Sequence, residues 1–474
     1  MISTQFAAAA TPRRIRKASK NDKVAGRPRR RPCGRYDFTA GTVAVIIVAL
    51  AQGVDCSITL ASAPAYFDRM DNFTYSCGSN ESSSADRPGS ESFSSGQSAW
   101  AIGQMVGSLA CIGLPGWLGF RATMLLYVSL SIVGNILYAI ADPSIFGFGM
   151  EPLAIVGRAV NGVGAASISV ALGYIPLHEP DSSRLDALII HKIALMSGMF
   201  IGALCSLPLS LLTAQELQWG RLAMRSGVGA AFVAILVYIP CIIAVIFSLG
   251  DDKPPTKRRA AASCYCDGKV GFWLITVAVV GWISIGIVFF LPVFEYNSIS
   301  ECEELATFIS YATIGCFGAA LLGSAFHKFL GRCYHGEKSL TPLQMMFIAT
   351  SITILGLGLA YTGSRIGQLG VLSTDVAAFP DGLFVLGIAF VLFAGGTFSS
   401  FLPPLFQQTL PRTSVSAMMP VYTIALDVGQ ILSPRINVEI LKVTFCGCMF
   451  CHVHNRMTMT IDIAHGILCR MAST

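Results

Sequence analysis

Charge is the scarcest feature of this sequence. Asp, Glu, Lys and Arg make up 13% of its 474 residues, against about a quarter in soluble domains. That excludes an ordinary charge-coated soluble globule. The chain also lacks a G-x-x-x-x-G-K-[ST] phosphate loop, an H-E-x-x-H pair and a nucleophile elbow in a soluble domain. An enzyme therefore has no motif to rest on, and no cofactor is implied. Acids are nearly missing from the first 36 residues, which hold eleven Lys or Arg and only Asp22. No short apolar core with a cleavage site follows, so the run is not a cleaved signal. It reads as a disordered basic flank (1–38) that stays in the cytoplasm, rather than a nucleic-acid patch.

What the sequence does contain is apolar length. Hydrophobic residues make up 53% of the chain, and the mean hydropathy is +0.62. That combination predicts an all-α polytopic membrane protein. Runs long enough to span a bilayer fall at about 39–62, 97–118, 122–141, 152–176, 193–213, 229–249, 271–293, 305–326, 342–362, 382–404 and 414–434. With the N-terminus cytoplasmic, that side carries 23 Lys or Arg and the other side 5. Without the tail the ratio is still 12 to 5, as the positive-inside rule requires. The longest outer loop holds two sequons, Asn72-Phe73-Thr74 and Asn80-Glu81-Ser82, which predicts glycosylation at Asn72 or Asn80. A polar linker, GDDKPPTKRRAAASCYCDGK from Gly250 to Lys269, separates six spans (39–249) from five more (271–436). A twelfth span is expected after Ile436. The segment 437–474 is instead rich in Cys, His and Met, and its best apolar run is interrupted by Lys442. It reads as an aberrant gene end.

Several stretches carry a family likeness. FSSGQSAWAIGQMVGSLACIGLPGWLGFR (Phe93 to Arg121), LAIVGRAVNGVGAASISVALGYI (Leu153 to Ile175), SGMFIGAL (Ser197 to Leu204) and FLPPLFQQTLPRTSVSAMMPVYTIALDVGQILSPRI (Phe401 to Ile436) occur in that order. Together they resemble the major facilitator superfamily. Within it they are similar to the branch of the lysosomal ceroid-lipofuscinosis facilitator and the vacuolar SPX-type transporters, without an SPX domain. The resemblance implies two pseudo-symmetric six-helix bundles around a central cavity, with the twelfth helix missing or aberrant here. It also implies transport by rocking of the bundles, in a lysosomal, vacuolar or other endomembrane. The superfamily's hairpin after the second span reads G-x-x-x-D-x-x-G-R. Gly113 and Arg121 fit it, but Trp117 stands where the acid belongs. The fifth-span G-x-x-x-G-P keeps Gly198 and Gly202 and has Ala203 in place of Pro.

Charges inside the spans stand out, because each costs about 2.5–3.5 kcal/mol at mid-bilayer. Arg158 sits in the fourth span, and the resemblance turns that span toward the cavity. Asp55 lies at comparable depth in the first span. A pair of the two would lower both desolvation costs and put a protonatable carboxylate beside a fixed cation. The alternatives are a static structural pair, or Asp55 facing outer water. Asn161, three residues on from Arg158, shares its face and could cap it or touch solute. Gln52 shares the face of Asp55, and Glu295 closes the seventh span. Gly162, Gly164, Gly198 and Gly202 suit close helix packing. Gln104, Asp427 and Gln430 suit gating or packing between the halves. His191 and Lys192 read as cytoplasmic anchors of the fifth span.

Other constellations lead less far. Cys446, Cys448, Cys451, His452 and His454 resemble a metal cluster, but they sit in the aberrant tail without a supporting fold, so no metal site is assigned. Cys264 and Cys266 read as inert thiols of the linker. A Cys77–Cys302 disulfide is disfavoured, since it would join parts that must move. The partners implied are the lipid bilayer and a small polar or anionic solute, with proton coupling through Asp55. Nucleic acid is not among them. The rival readings are an organellar anion channel-like protein and a non-transporting or truncated facilitator relative.

Overall fold

The computed structural model of the protein describes residues 38–70, 88–142, 150–211, 218–219, 222–223, 226–250, 270–280, 313–326, 342–369, 378–410, 414–415 and 417–431. The basic tail, the sequons at Asn72 and Asn80, nearly all of the 250–270 linker, Glu295 and the 437–474 tail lie outside these residues.

The described chain is helical apart from one antiparallel pairing of two-residue strands, β1 (Gln218–Trp219) with β2 (Leu222–Ala223). The helices are α1 (Ala40–Met70), α2 (Pro88–Ala110), α3 (Leu114–Leu118), α4 (Phe120–Ile140) and α5 (Glu151–Ala165). They continue with α6 (Ser167–His178), α7 (Asp181–Leu211) and α8 (Ser226–Ser248). The later ones are α9 (Val270–Val280), α10 (Thr313–Phe326), α11 (Pro342–Leu369), α12 (Ala378–Thr409) and α13 (417–431). Six helices among the described residues are long and apolar enough to cross a membrane. Each of the eleven expected spans meets helix.

Three boundaries differ from expectation. The second span is not one helix. Its helix starts earlier, at Pro88, and breaks after Ala110, and α3 follows with Pro115 in its first turn. The fourth span is two helices that meet at Ala166. The fifth begins at Asp181 rather than near 193. His191 and Lys192 therefore lie inside α7, about three turns from its start. They are not anchors at its entrance.

Packing follows the small residues. In lipid, helices associate by close contact rather than by burial from water. α1 is hemmed in by α2, α7 and α8, while α5 packs on α2 and α4. α11 packs on α12, and α12 also touches α7. The Cβ that Gly198 lacks would run into the Leu50 carbonyl of α1, and that of Gly202 would meet the Ser57 hydroxyl. At Gly162 the obstacle is the Trp100 carbonyl of α2, and at Gly164 the Ser131 side chain and amide of α4. α8 shows the opposite face of the same logic. Its Leu236, Ile239, Ile243 and Phe247 form an outward apolar stripe, with Phe247 83% exposed. Such a stripe suits lipid rather than water.

The hairpin from α3 to α4 turns at Gly119, whose φ of 85° favours glycine. Arg121 donates from Nε to the Leu249 carbonyl at 2.8 Å, just past the end of α8. A cation is well placed at that helix terminus. Gly113 has open space where a Cβ would go. Trp117, at the position of the superfamily's acid, is 76% exposed.

Glu179, between α6 and α7, ties three helix ends together. Its carboxylate accepts the Thr39 amide and hydroxyl, each at 2.9 Å, and the Ser183 hydroxyl at 2.9 Å. Burial pushes this carboxyl up, but the hydrogen bonds from Thr42, Thr39 and Ser183 more than offset it and hold the group below the usual glutamate range. A depressed folded value means stability that is present above the unfolded pKa, about 4.3, and lost as pH falls through the folded one. Glu179→Gln is expected to cost about 1–2 kcal/mol at pH 7. The gap to wild type should close as the pH is lowered below about 4. Thermal unfolding in detergent at both pH values checks this.

Candidate functional site

Asp55 and Arg158, two of the charged residues foreseen in the spans, belong to one buried polar network in the first half of the chain. Asp55 on α1 is 1% exposed. Its Oδ2 accepts Asn161 Nδ2 at 2.8 Å and Tyr238 Oη at 2.9 Å, and its Oδ1 accepts Asn135 Nδ2 at 3.2 Å. Those three donors come from α5, α8 and α4. Asn161 Oδ1 in turn accepts the Trp100 indole N–H at 2.9 Å. Gln52, nearly one turn before Asp55, donates to Ser131 Oγ at 3.1 Å and to the Gly164 carbonyl at 3.3 Å.

Arg158 is also buried, at 2% exposure. It forms no contact pair with Asp55. Nη1 donates to Thr59 Oγ1 at 3.0 Å, and Nη2 donates to Gln97 Oε1 at 3.5 Å. Thr59 passes the link on by donating to the Asp55 backbone carbonyl at 2.6 Å. The guanidinium lies 6.0 Å from the Trp100 ring centre and 5.9 Å from that of Tyr138, within cation–π range. The reason for the offset is geometric. Asp55 is already ringed by three neutral donors, and Arg158 reaches α1 one turn further along, at Thr59. The two charges still act on each other through space. Asn161 does not cap Arg158. It holds Asp55 to Trp100 instead.

A cavity lies beside this network, between α1, α2, α5, α6 and α7 on one side and α9, α10, α12 and α13 on the other. Gln52, Gln104 and Gln430 line it. Asp55, Arg158 and Asn161 are not among its described lining residues and stand behind the wall that Gln52, Cys56 and Trp100 present. Asp427 is fully buried and also off the lining. Its Oδ2 accepts Ser108 Oγ of α2 at 3.3 Å, and Ser108 pairs with Ser169 of α6 at 2.9 Å. The Ser108–Asp427 bond therefore joins the early helices to α13.

Sequence reasoning missed His191 and Lys192 as lining residues. The signal was available. Leu188, His191, Lys192, Leu195, Met196 and Met199 recur at helical spacing and all face the cavity. Buried polar atoms usually find partners. Three on this wall have none: His191 Nε2, Gln104 Oε1 and Gln430 Oε1. Among the described residues no group of three or more His, Cys, Asp or Glu could hold a metal ion.

Comparison with known proteins matches this architecture. A family model described as "Sugar (and other) transporter" matches residues 58–241. No curated protein matches the chain. Among solved structures, the chain is similar to a D-xylose–proton symporter, with TM-score 0.59 and 13% identity over 83% of this chain and 88% of that one. It is similar also to the proton:xylose symporter XylE bound to 6-bromo-6-deoxy-D-glucose, with TM-score 0.59 and 14% identity over 86% and 90%. A third is the E. coli fucose:proton symporter, with TM-score 0.55 and 12% identity over 86% and 92%. The fold is the major facilitator fold, and the protein is an integral multi-pass membrane protein.

Proposed function

We propose that the protein is a secondary transporter that carries a small polar or anionic solute by alternating access. The observation that carries this reading is the cavity between early and late helices, with three unpartnered buried polar atoms on its wall. The matched family model and the symporters named above support it. In this reading Asp55, Arg158 and Asn161 brace the wall that Trp100 and Gln52 present to the solute. The Ser108–Asp427 bond is a joint that breaks when the halves rock. Glu295 is kept as a further pathway residue on its sequence position alone.

The test is uptake into proteoliposomes holding the purified protein, across sugars, inorganic anions and organic acids. Saturable, counterflow-competent uptake of at least one class is the expected result. Absence of saturable flux for every class sinks the carrier. Currents that scale with voltage and never saturate would point to a conductance instead.

We also infer a cytoplasmic N-terminus and a lysosomal, vacuolar or other endomembrane home. The 23-to-5 basic asymmetry supports the first, and the branch resemblance supports the second. Asn72 or Asn80 should then carry glycan when the protein is made in a eukaryotic cell. Endoglycosidase treatment should speed its migration on a gel, and the double variant Asn72→Gln/Asn80→Gln should migrate at the faster position untreated. No shift with either would reverse the orientation.

A further inference from the structure

The sugar symporters that share this fold raise a question of chemistry. A sugar presents a hydroxyl on nearly every carbon, and each one buried needs a partner. The cavity here is mostly hydrocarbon. Leu188, Leu195, Met196, Phe317, Leu392 and Leu402 represent its walls. Apolar side chains outnumber the polar ones on the lining, and the charge is one-sided. Among the described lining residues there is no Asp or Glu, and Lys192 is the one Lys or Arg. Lys192 forms no ion pair among the described residues. His191, its neighbour, is 2% exposed, and its Nε2 has no partner. A cation beside an unsatisfied ring nitrogen, at the edge of an apolar chamber, is a head-group site with a place for a tail.

The geometry points to an amphipathic organic monoanion as the solute: a carboxylate or similar head held at Lys192 and His191, with an apolar body along the α7, α10 and α12 walls. This rests on the carrier reading above and narrows it. The unbranched Met196 and Met199 let one chamber fit bodies of differing shape. Gln104 and Gln430 face the same space with unpartnered amide oxygens and suit a hydroxyl or N–H on that body. A small inorganic anion leaves the apolar wall without a purpose, and a polyol sets hydroxyls against the hydrocarbon that makes up most of that wall.

The test uses the full chain in nanodiscs, with equilibrium binding of 3-phenylpropionate, octanoate and indole-3-acetate. Their methyl esters, D-xylose and chloride serve as the contrasting arms. At least one acid is expected to bind, with its ester at least ten-fold weaker and xylose and chloride weaker still. Lys192→Gln should lose ten-fold or more for the acid, and Lys192→Arg should retain it. Equal binding of acid and ester, preference for xylose or chloride, or binding of no acid overturns the assignment. The ester comparison needs no variant, so a misfolded Lys192→Gln does not blunt it. Proteoliposome uptake separates this from the broader reading. Acid binding without uptake keeps the site and removes the carrier. Saturable uptake of another solute without acid binding keeps the carrier and removes this solute class.

Discussion

Asp55→Asn and Arg158→Met are each expected to destabilise the protein by about 3–5 kcal/mol, the usual cost of stranding one buried charge. Asp55→Asn removes a carboxylate that acts on Arg158 through space. It also leaves a single acceptor oxygen for three donors, Asn161, Tyr238 and Asn135. Arg158→Met removes the cation and strips Thr59 and Gln97 of their donor. The double variant should cost less than the sum of the two, with a coupling of about 0.5–3 kcal/mol. The shared term is the attraction across the Thr59 turn, which each single variant loses in full. Denaturant unfolding of the four proteins in one detergent measures this cycle. Strict additivity would mean that the two charges are held independently, each by its own neutral shell. A static brace of this kind predicts large stability losses in both single variants. It also predicts that whatever protein survives keeps its solute preference, since neither residue lines the cavity.

Helix positions were legible because apolar length is a strong signal in a chain so poor in charge. The interruptions were not. Ala166 joins α5 to α6 in an ordinary αR conformation, and Gly164 two residues before it reads equally well as a packing residue. At Ala110 the breakers Gly113 and Pro115 mark the end of the run, but Cys111 and Ile112 carry the apolar pattern past the point where the helix stops. Arg158 and Asp55 could be picked out singly, since a charge in a span needs a partner. Their actual partners could not. Thr59, Gln97, Asn135 and Tyr238 are spread over some 180 positions, and only the packing of four other helices onto α1 brings them together. The cavity stripe on α7 was fully written in the sequence from Leu188 to Met199. A span that starts at 193 cuts this stripe in two and leaves His191 and Lys192 off the helix face they share. The glycines are legible as small residues, but which backbone each one faces is a tertiary fact.

That fact makes Gly162 the most sensitive single site on α5. Gly162→Ala adds one methyl group, and the Trp100 backbone carbonyl occupies its place. A flexible side chain could swing aside, but a carbonyl inside α2 moves only with its helix. Overpacking costs about 1–3 kcal/mol and sometimes more, and Gly162→Ala is expected at the top of that range. Gly162→Leu should yield no folded protein. Gly358 on α11 supplies the contrast, because nothing lies within 4 Å of the position its Cβ would take. Gly358→Ala should therefore stabilise by about 1 kcal/mol, the helix-propensity gain alone. The damage at Gly162 also has a direction. Pushing α2 outward draws Trp100 from Asn161, now 2.9 Å away, and Asn161 is what holds Asp55. Surviving Gly162→Ala protein should thus show a changed Trp environment along with weakened solute binding, since Trp100 lines the cavity. The measurement is near-ultraviolet circular dichroism beside thermal unfolding for both alanine variants. If Gly162→Ala and Gly358→Ala shift the melting temperature alike, α2 and α5 do not touch as tightly as this packing requires.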